Sequence, residues 1–153
     1  MLDDAWARSQ QGEENVKPWS WADTWPVARI SQPRLGVDQV VLNGASGRVL
    51  AFGPGHVAGT AQLGQVGNSV LSGHRDTHFA WLAHLQDNDT LYLTLPNGER
   101  QRYSVIRRAV HHVDETALLN PWHFDGLRLI TCYPFHAISS EPTERYVVDA
   151  VLM

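Results

Sequence analysis

The feature that most constrains this chain is its punctuation: from Val27 onward, short apolar runs alternate with Gly, Pro, Asn and Asp at intervals typical of all-β folds. The runs predict strands over Val27–Ile30, Gln39–Leu42, Asn68–Ser72, Thr90–Thr94, Gln101–Ala109, Leu127–Cys132 and Arg145–Val151. Pro96-Asn97-Gly98 separates the alternating Leu91, Leu93, Leu95 series from Tyr103 and Val105, which reads as a β-hairpin. Outside the strands, Leu2 to Val16 suits one short helix ending before Lys17-Pro18, and Trp81, Leu82 and Leu85 carry helical spacing within Phe79–Leu85. The sum is an all-β fold, a closed or partly closed β-barrel with one N-terminal helix and short helical decorations. At 153 residues there is room for one core, so we divide the chain into a helical extension, 1–16, and a single barrel domain, 17–153.

Composition excludes several function classes. Twelve Lys and Arg against sixteen Asp and Glu give a net charge of −4, which offers no bulk field for a phosphate backbone, so no nucleic-acid partner is expected. No apolar run approaches the ~20 residues that span a bilayer. The single cysteine, Cys132, rules out an intrachain disulfide framework and any zinc site needing two thiolates. Pro18-Trp19-Ser20-Trp21-Ala22-Asp23-Thr24-Trp25-Pro26 reads as an extended strap whose rings lie on something apolar, sealing the barrel or forming a substrate platform.

Three positions carry chemistry. Cys132 ends the run Leu127-Arg128-Leu129-Ile130-Thr131 just before Tyr133-Pro134, so its thiol is mounted at a rigid strand end, although a lone cysteine also suits a buried structural position. His74 follows Ser69-Val70-Leu71-Ser72-Gly73 and could exchange protons with a thiol or an amine; a solvated loop histidine is the plainer reading. Arg145 heads the last strand, 13 residues beyond the cysteine, where a strand, loop and return strand would bring its guanidinium beside the thiol to hold a carbonyl or oxyanion, unless it is a surface charge.

Gly73-His74-Arg75, Leu129-Ile130-Thr131-Cys132 and Arg145-Tyr146-Val147-Val148 resemble, in order and spacing, the three signature motifs of the sortases. Lys17 to Thr24, Gly44-Ala45-Ser46-Gly47, Ala51 to His56, Gly73 to Phe79 and Thr131 to Phe135 further resemble the Gram-negative branch of that family, so the likeness covers residues 15 to 153. It implies an eight-stranded barrel and a cysteine transpeptidase that cleaves a Leu-Pro-x-Thr-Gly type sorting signal between Thr and Gly and passes the acyl group to an amine. Cys132 would be the nucleophile, His74 the general acid and base, Arg145 the substrate-orienting and oxyanion-stabilising group, and Thr131 a shaper of the acyl-binding spot. The partners implied are a secreted protein bearing the signal and an amine acceptor. No cofactor or metal is implied, since no acidic cluster resembles the calcium site of certain relatives. The location implied is the cytoplasmic membrane, facing the periplasm, through an anchor upstream of Leu2.

Two departures stand out. Asn88-Asp89 replaces the family's frequent Gly-Asp, a change a left-handed turn tolerates, and the loop from Pro134 to Thr143 lacks a Gly-Gly-Pro. Two other classes compete: a metal site built from His74, His78, His111 and His112, and a catalytically idle barrel used as a binding module. The first is disfavoured because Gly73 and the Val-Leu run before it place His74 in a strand-to-loop segment, with no glutamate after it.

Overall fold

The computed structural model describes residues 1–114, 125–135 and 142–153. Helix α1 (Leu2–Gln10) is followed by β1 (Pro26–Gln32), β2 (Val37–Asn43), a one-turn α2 (Gly47–Leu50), β3 (Gly55–His56) and β4 (Asn68–Ser72). Then come β5 (Thr90–Thr94), β6 (Arg100–His112), β7 (Gly126–Tyr133) and β8 (Glu144–Leu152). The strands close into a barrel in the order β1-β2-β3-β4-β7-β8-β6-β5. The eight-stranded barrel that the resemblance implies is therefore present, closed, with one strand more than the apolar runs predicted.

Alternation fills the interior. Ala28 and Ile30 from β1, Leu71 from β4, Leu91 and Leu93 from β5, Leu127 and Leu129 from β7, and Val148 and Ala150 from β8 meet in one cluster with Phe79, Leu82 and Val105. Each enclosed leucine contributes about 1.5–3 kcal/mol of gross burial free energy. Strand β7 is buried at every position from Gly126 to Thr131, because its outer face is covered as well. On that outer face Val70, Ile130 and Val147 form a separate cluster, packed by Val57.

Several local expectations change in detail. Helix α1 stops at Gln10 rather than reaching Val16, since Gly12 (φ 98°) and Asn15 (φ 50°) take left-handed conformations that no right-handed helix can contain. Its Trp6 packs on Val40, Leu42 and Val49, which ties the extension to the barrel wall. The Phe79–Leu85 segment forms a 3₁₀ turn over Ala80–His84 rather than an α-helix. The two-residue strand β3 escaped the sequence reading because it is too short to show alternation. The β5–β6 hairpin is present, with Gly98 at φ 90° in its turn, and Asn88 adopts the expected left-handed conformation at φ 72°. In the strap, Thr24 Oγ1 donates to the Asn43 carbonyl at 2.7 Å and Ala22 is buried. Trp21 instead stays 66% exposed, leaning on Trp19, which packs edge-on against Phe52 at 4.5 Å.

Candidate functional site

The site is a consequence of strand register and of which face each residue takes. In β7, Leu127 and Leu129 point into the barrel, so Ile130 and Cys132 point outward. In β8 the outward set is Val147 and Arg145; in β4 it is Val70 and Ser72, with His74 two residues beyond. Antiparallel pairing sets Cys132 opposite Arg145. Parallel pairing sets Ser72 opposite Ile130 as the last pair of that ladder, and His74 follows Ser72 by two residues as Cys132 follows Ile130. The three sequence-predicted residues thus gather at one end of β8, β7 and β4, in the order Arg145–Cys132–His74, directly beyond Val147, Ile130 and Ser72.

Two hydrogen bonds lock the ends of β4 and β7 together. The Gly73 N–H donates to the Ile130 carbonyl at 3.2 Å, and Thr131 Oγ1 donates to the Gly73 carbonyl at 2.7 Å. Thr131 is only 2% exposed and has the inward parity of Leu129, so it lies behind the row rather than in it. A Cβ on Gly73 would lie 2.7 Å from Phe79 Cγ, so only glycine lets the chain pass between the strand and the core. The turn then closes on His74, whose carbonyl accepts the N–H groups of Phe79 at 3.0 Å and Thr77 at 3.4 Å.

Arg145 Nη1 donates to the carbonyls of Pro142 at 3.1 Å and Glu144 at 3.0 Å, which holds the guanidinium at the head of β8 and leaves its Nε and Nη2 edge outside those bonds. Cys132 is a free thiol of intermediate exposure and His74 is exposed, so a substrate can reach both. Behind them Tyr133 stacks on Tyr146 at 6.0 Å and Phe135 meets Tyr146 edge-on at 5.1 Å.

Sequence reasoning gave no role at this site to four residues, Arg75, Arg128, Asp149 and His78, the last weighed only as a metal ligand. Arg75 Nη1 donates to the Pro134 carbonyl at 3.1 Å, tying the loop after His74 to the turn after Cys132. Arg128 and Asp149, 2% and 1% exposed, pair at 2.7 Å on the outer face beneath the row, where a charged residue at the parity of Ile130 was the available signal. His78 lies near His74; burial, then the neighbouring His74 charge, push its imidazole below the usual histidine range, partly offset by the Leu50 backbone. Of the competing histidine cluster, His74 and His78 share one turn, whereas His111 is the cross-strand partner of Arg145 on β6. Among the described residues no group of three or more His, Cys, Asp or Glu could hold a metal ion. The Pro134–Thr143 loop falls largely outside the described residues, so the absence of Gly-Gly-Pro has no structural counterpart here.

A closed eight-stranded barrel that sets a thiol, an imidazole and a guanidinium side by side on its outer face defines a β-barrel domain with a cysteine-centred candidate site. The Sortase domain model matches residues 30–153, well over half of the chain. The chain belongs to the sortase family. It is 32% identical to Sortase D of Bacillus subtilis over 117 residues, covering 76% of this chain and 58% of that protein, so it spans little more than half of its relative's length. Among solved structures it is similar to Sortase A from Corynebacterium diphtheriae, with TM-score 0.76 and 30% identity over 87% of this chain and 63% of that one. The fold is also that of a Clostridium perfringens Sortase D5 transpeptidase, TM-score 0.76 at 22% identity, covering 99% of this chain and 93% of the other. None of these relatives bears on a Gram-negative branch, and the assignment they support stops at the family.

Proposed function

We propose that the chain is a sortase transpeptidase working through a thioester on Cys132, and the observation that carries this reading is the Arg145–Cys132–His74 row. The Cys132 thiolate adds to the scissile carbonyl while the Arg145 guanidinium donates to the developing oxyanion. Collapse breaks the C–N bond as the His74 imidazolium gives its proton to the departing amine, leaving a thioester on Cys132 and neutral His74. An incoming amine then attacks the thioester, the C–S bond breaks, and the amine's proton passes to His74 as the thiolate is released. The products are a new amide and the starting ion pair. Thr131, bonded to Gly73, positions both halves of the site without touching the reacting atoms.

A Leu-Pro-x-Thr-Gly type signal cut between Thr and Gly, on a secreted protein, is the substrate this reading names, with a primary amine as acceptor. The sequence motifs alone support a Gram-negative setting, with the enzyme held on the periplasmic face of the cytoplasmic membrane. No helix among the described residues is long and apolar enough to cross a membrane. An idle binding module is disfavoured by three intact reactive side chains aligned in one row.

Mass spectrometry of the protein incubated with a Leu-Pro-x-Thr-Gly peptide library, with and without an amine, tests the proposal. An acyl adduct on Cys132, or an acceptor-joined product that Cys132→Ala cannot make, is the expected result. No adduct from any peptide on a thiol that still alkylates freely would overturn it.

A further inference from the structure

The row does not end at His74. Around the barrel the strand after β4 is β3 and the next is β2. Ser72 pairs with Gly55, and Gly55 with Leu42, so His74, Gly53 and Val40 each lie two residues from that level on the same side of it. On that side a cavity of about 260 Å³ opens on the outer face, lined by Asp38, Gln39, Val40, Phe52, Gly53 and His78, with Asp3 and Arg29 at its rim. Gln39 fixes the His78 segment over it, donating through Nε2 to the His78 carbonyl at 2.9 Å. Neither this cavity nor the larger cleft of about 380 Å³, lined by residues that include Glu13, His56 and Pro96, contains a residue of the row itself, but this cavity holds His78, which lies near His74.

Resting on the transpeptidase reading, we infer that this cavity is the acceptor subsite and that it takes a peptide amine carrying a basic side chain. Direction supplies the first argument. Arg145 stands on one side of Cys132 and His74 on the other, so the acyl group held by Arg145 leaves the His74 side for the amine. The cavity lies on that side. Reach supplies the second. From β7 to β2 is three strand steps, about 14 Å at about 4.8 Å per step, which an extended peptide covers in about four residues.

Charge supplies the third. Two carboxylates, Asp3 and Asp38, face one guanidinium: Arg29 Nε bonds Asp38 at 2.6 Å and its Nη1 bonds Asp3 at 3.1 Å. The rim is net negative. Burial and the His74 charge keep His78 below its usual range, so the ring adds no cation against an arriving basic group. Phe52, 38% exposed and in contact with Trp19, offers an aromatic face to the same group.

The test uses Gly-Gly-Gly-Arg amide, Gly-Gly-Gly-Glu amide and methylamine, which is too small to reach the cavity. Bound to Cys132→Ala protein, the arginine peptide should shift the amide resonances of Phe52, Gly53 and His78, and the glutamate peptide should shift them less. In the active enzyme, the preference for the arginine over the glutamate peptide should fall about two- to fivefold in Phe52→Ala, as loss of an exposed cation–π contact predicts, and it should also fall in Asp38→Asn. Methylamine transfer gives the reference against which both peptides are read. Equal use of the two peptides by the native enzyme, an unchanged preference in both variants, or shifts confined to the larger cleft would overturn the subsite. Shifts at the cavity without transfer to any amine would sink the transpeptidase reading and the acceptor role with it, leaving a cavity that binds basic peptides.

Discussion

The hydroxyl of Thr131 donates to the carbonyl of Gly73 at 2.7 Å, so the residue preceding the cysteine holds the residue preceding the histidine. Thr131→Val keeps shape and removes the donor, leaving a buried carbonyl unsatisfied at a cost of about 1–3 kcal/mol. Chemical denaturation should show that loss. Peptide cleavage should fall further than stability explains, because His74 loses its register with Cys132, and Thr131→Ser should restore most of both.

Gly73→Ala places a methyl 2.7 Å from Phe79 Cγ. Either the core ring or the His74 turn has to move, and overpacking of this kind costs about 1–3 kcal/mol. A thermal melt together with a turnover assay would separate the two routes: a large loss of activity with a small loss of stability means that the turn has moved. Normal activity and stability would contradict the packing described here.

Arg145→Lys keeps the charge but loses the fork that bonds Pro142 and Glu144 while presenting a second edge. Removing an oxyanion donor costs about 10²–10³ in kcat, so Arg145→Ala should show that loss in single-turnover acylation, with Arg145→Lys recovering little of it. Full recovery by lysine would reduce the role to charge alone.

Asp149 bonds buried Arg128 at 2.7 Å and half-exposed Arg107 at 3.0 Å. Asp149→Ala removes the buried carboxylate that Arg128 and Arg107 share inside the wall that carries Cys132 and should cost about 3–5 kcal/mol in urea unfolding. Replacing Arg128 and Asp149 together by Met and Leu should recover much of that loss, since the pair's own net contribution is small. A near-neutral single variant would show that the wall holds Arg128 without this carboxylate.

Asp89 sets a pH dependence. The Arg34 hydrogen bonds, outweighing burial, hold its carboxyl below the usual range, and the Gln86 N–H adds to the effect. A depressed folded pKa gives stability that is present above the unfolded value and lost as pH falls through the folded one. Thermal melts of native protein and Asp89→Asn should therefore differ near neutrality and converge as pH drops below about 4. A gap that persists at acid pH would assign the difference to the turn at Asn88 rather than to charge.

Much of this was legible in the chain. Alternation in Thr90–Thr94 and Gln101–Ala109, with Asn97-Gly98 between them, determines a hairpin locally, because strand period and turn chemistry act over a few residues. Cys132, His74 and Arg145 were marked by their places at the ends or head of apolar runs. The sequence did not show β3, whose two residues carry no period, nor the end of α1 at Gln10, which depends on backbone conformations at Gly12 and Asn15.

By itself, then, the sequence determined residue types, strand faces and which side chains could react. Tertiary structure decided who stands beside whom. The row Arg145–Cys132–His74 needs β4 to lie parallel to β7 and β8 antiparallel to it, in registers where a slip of one residue would turn the side chains to the other face. The burial of Arg128 with Asp149, the reach of Arg75 to Pro134 and the cavity beside His78 follow from the same closure of the barrel. These are contacts between residues distant in the chain, created when non-local pairing brings separate strands to one level, and no local pattern encodes them.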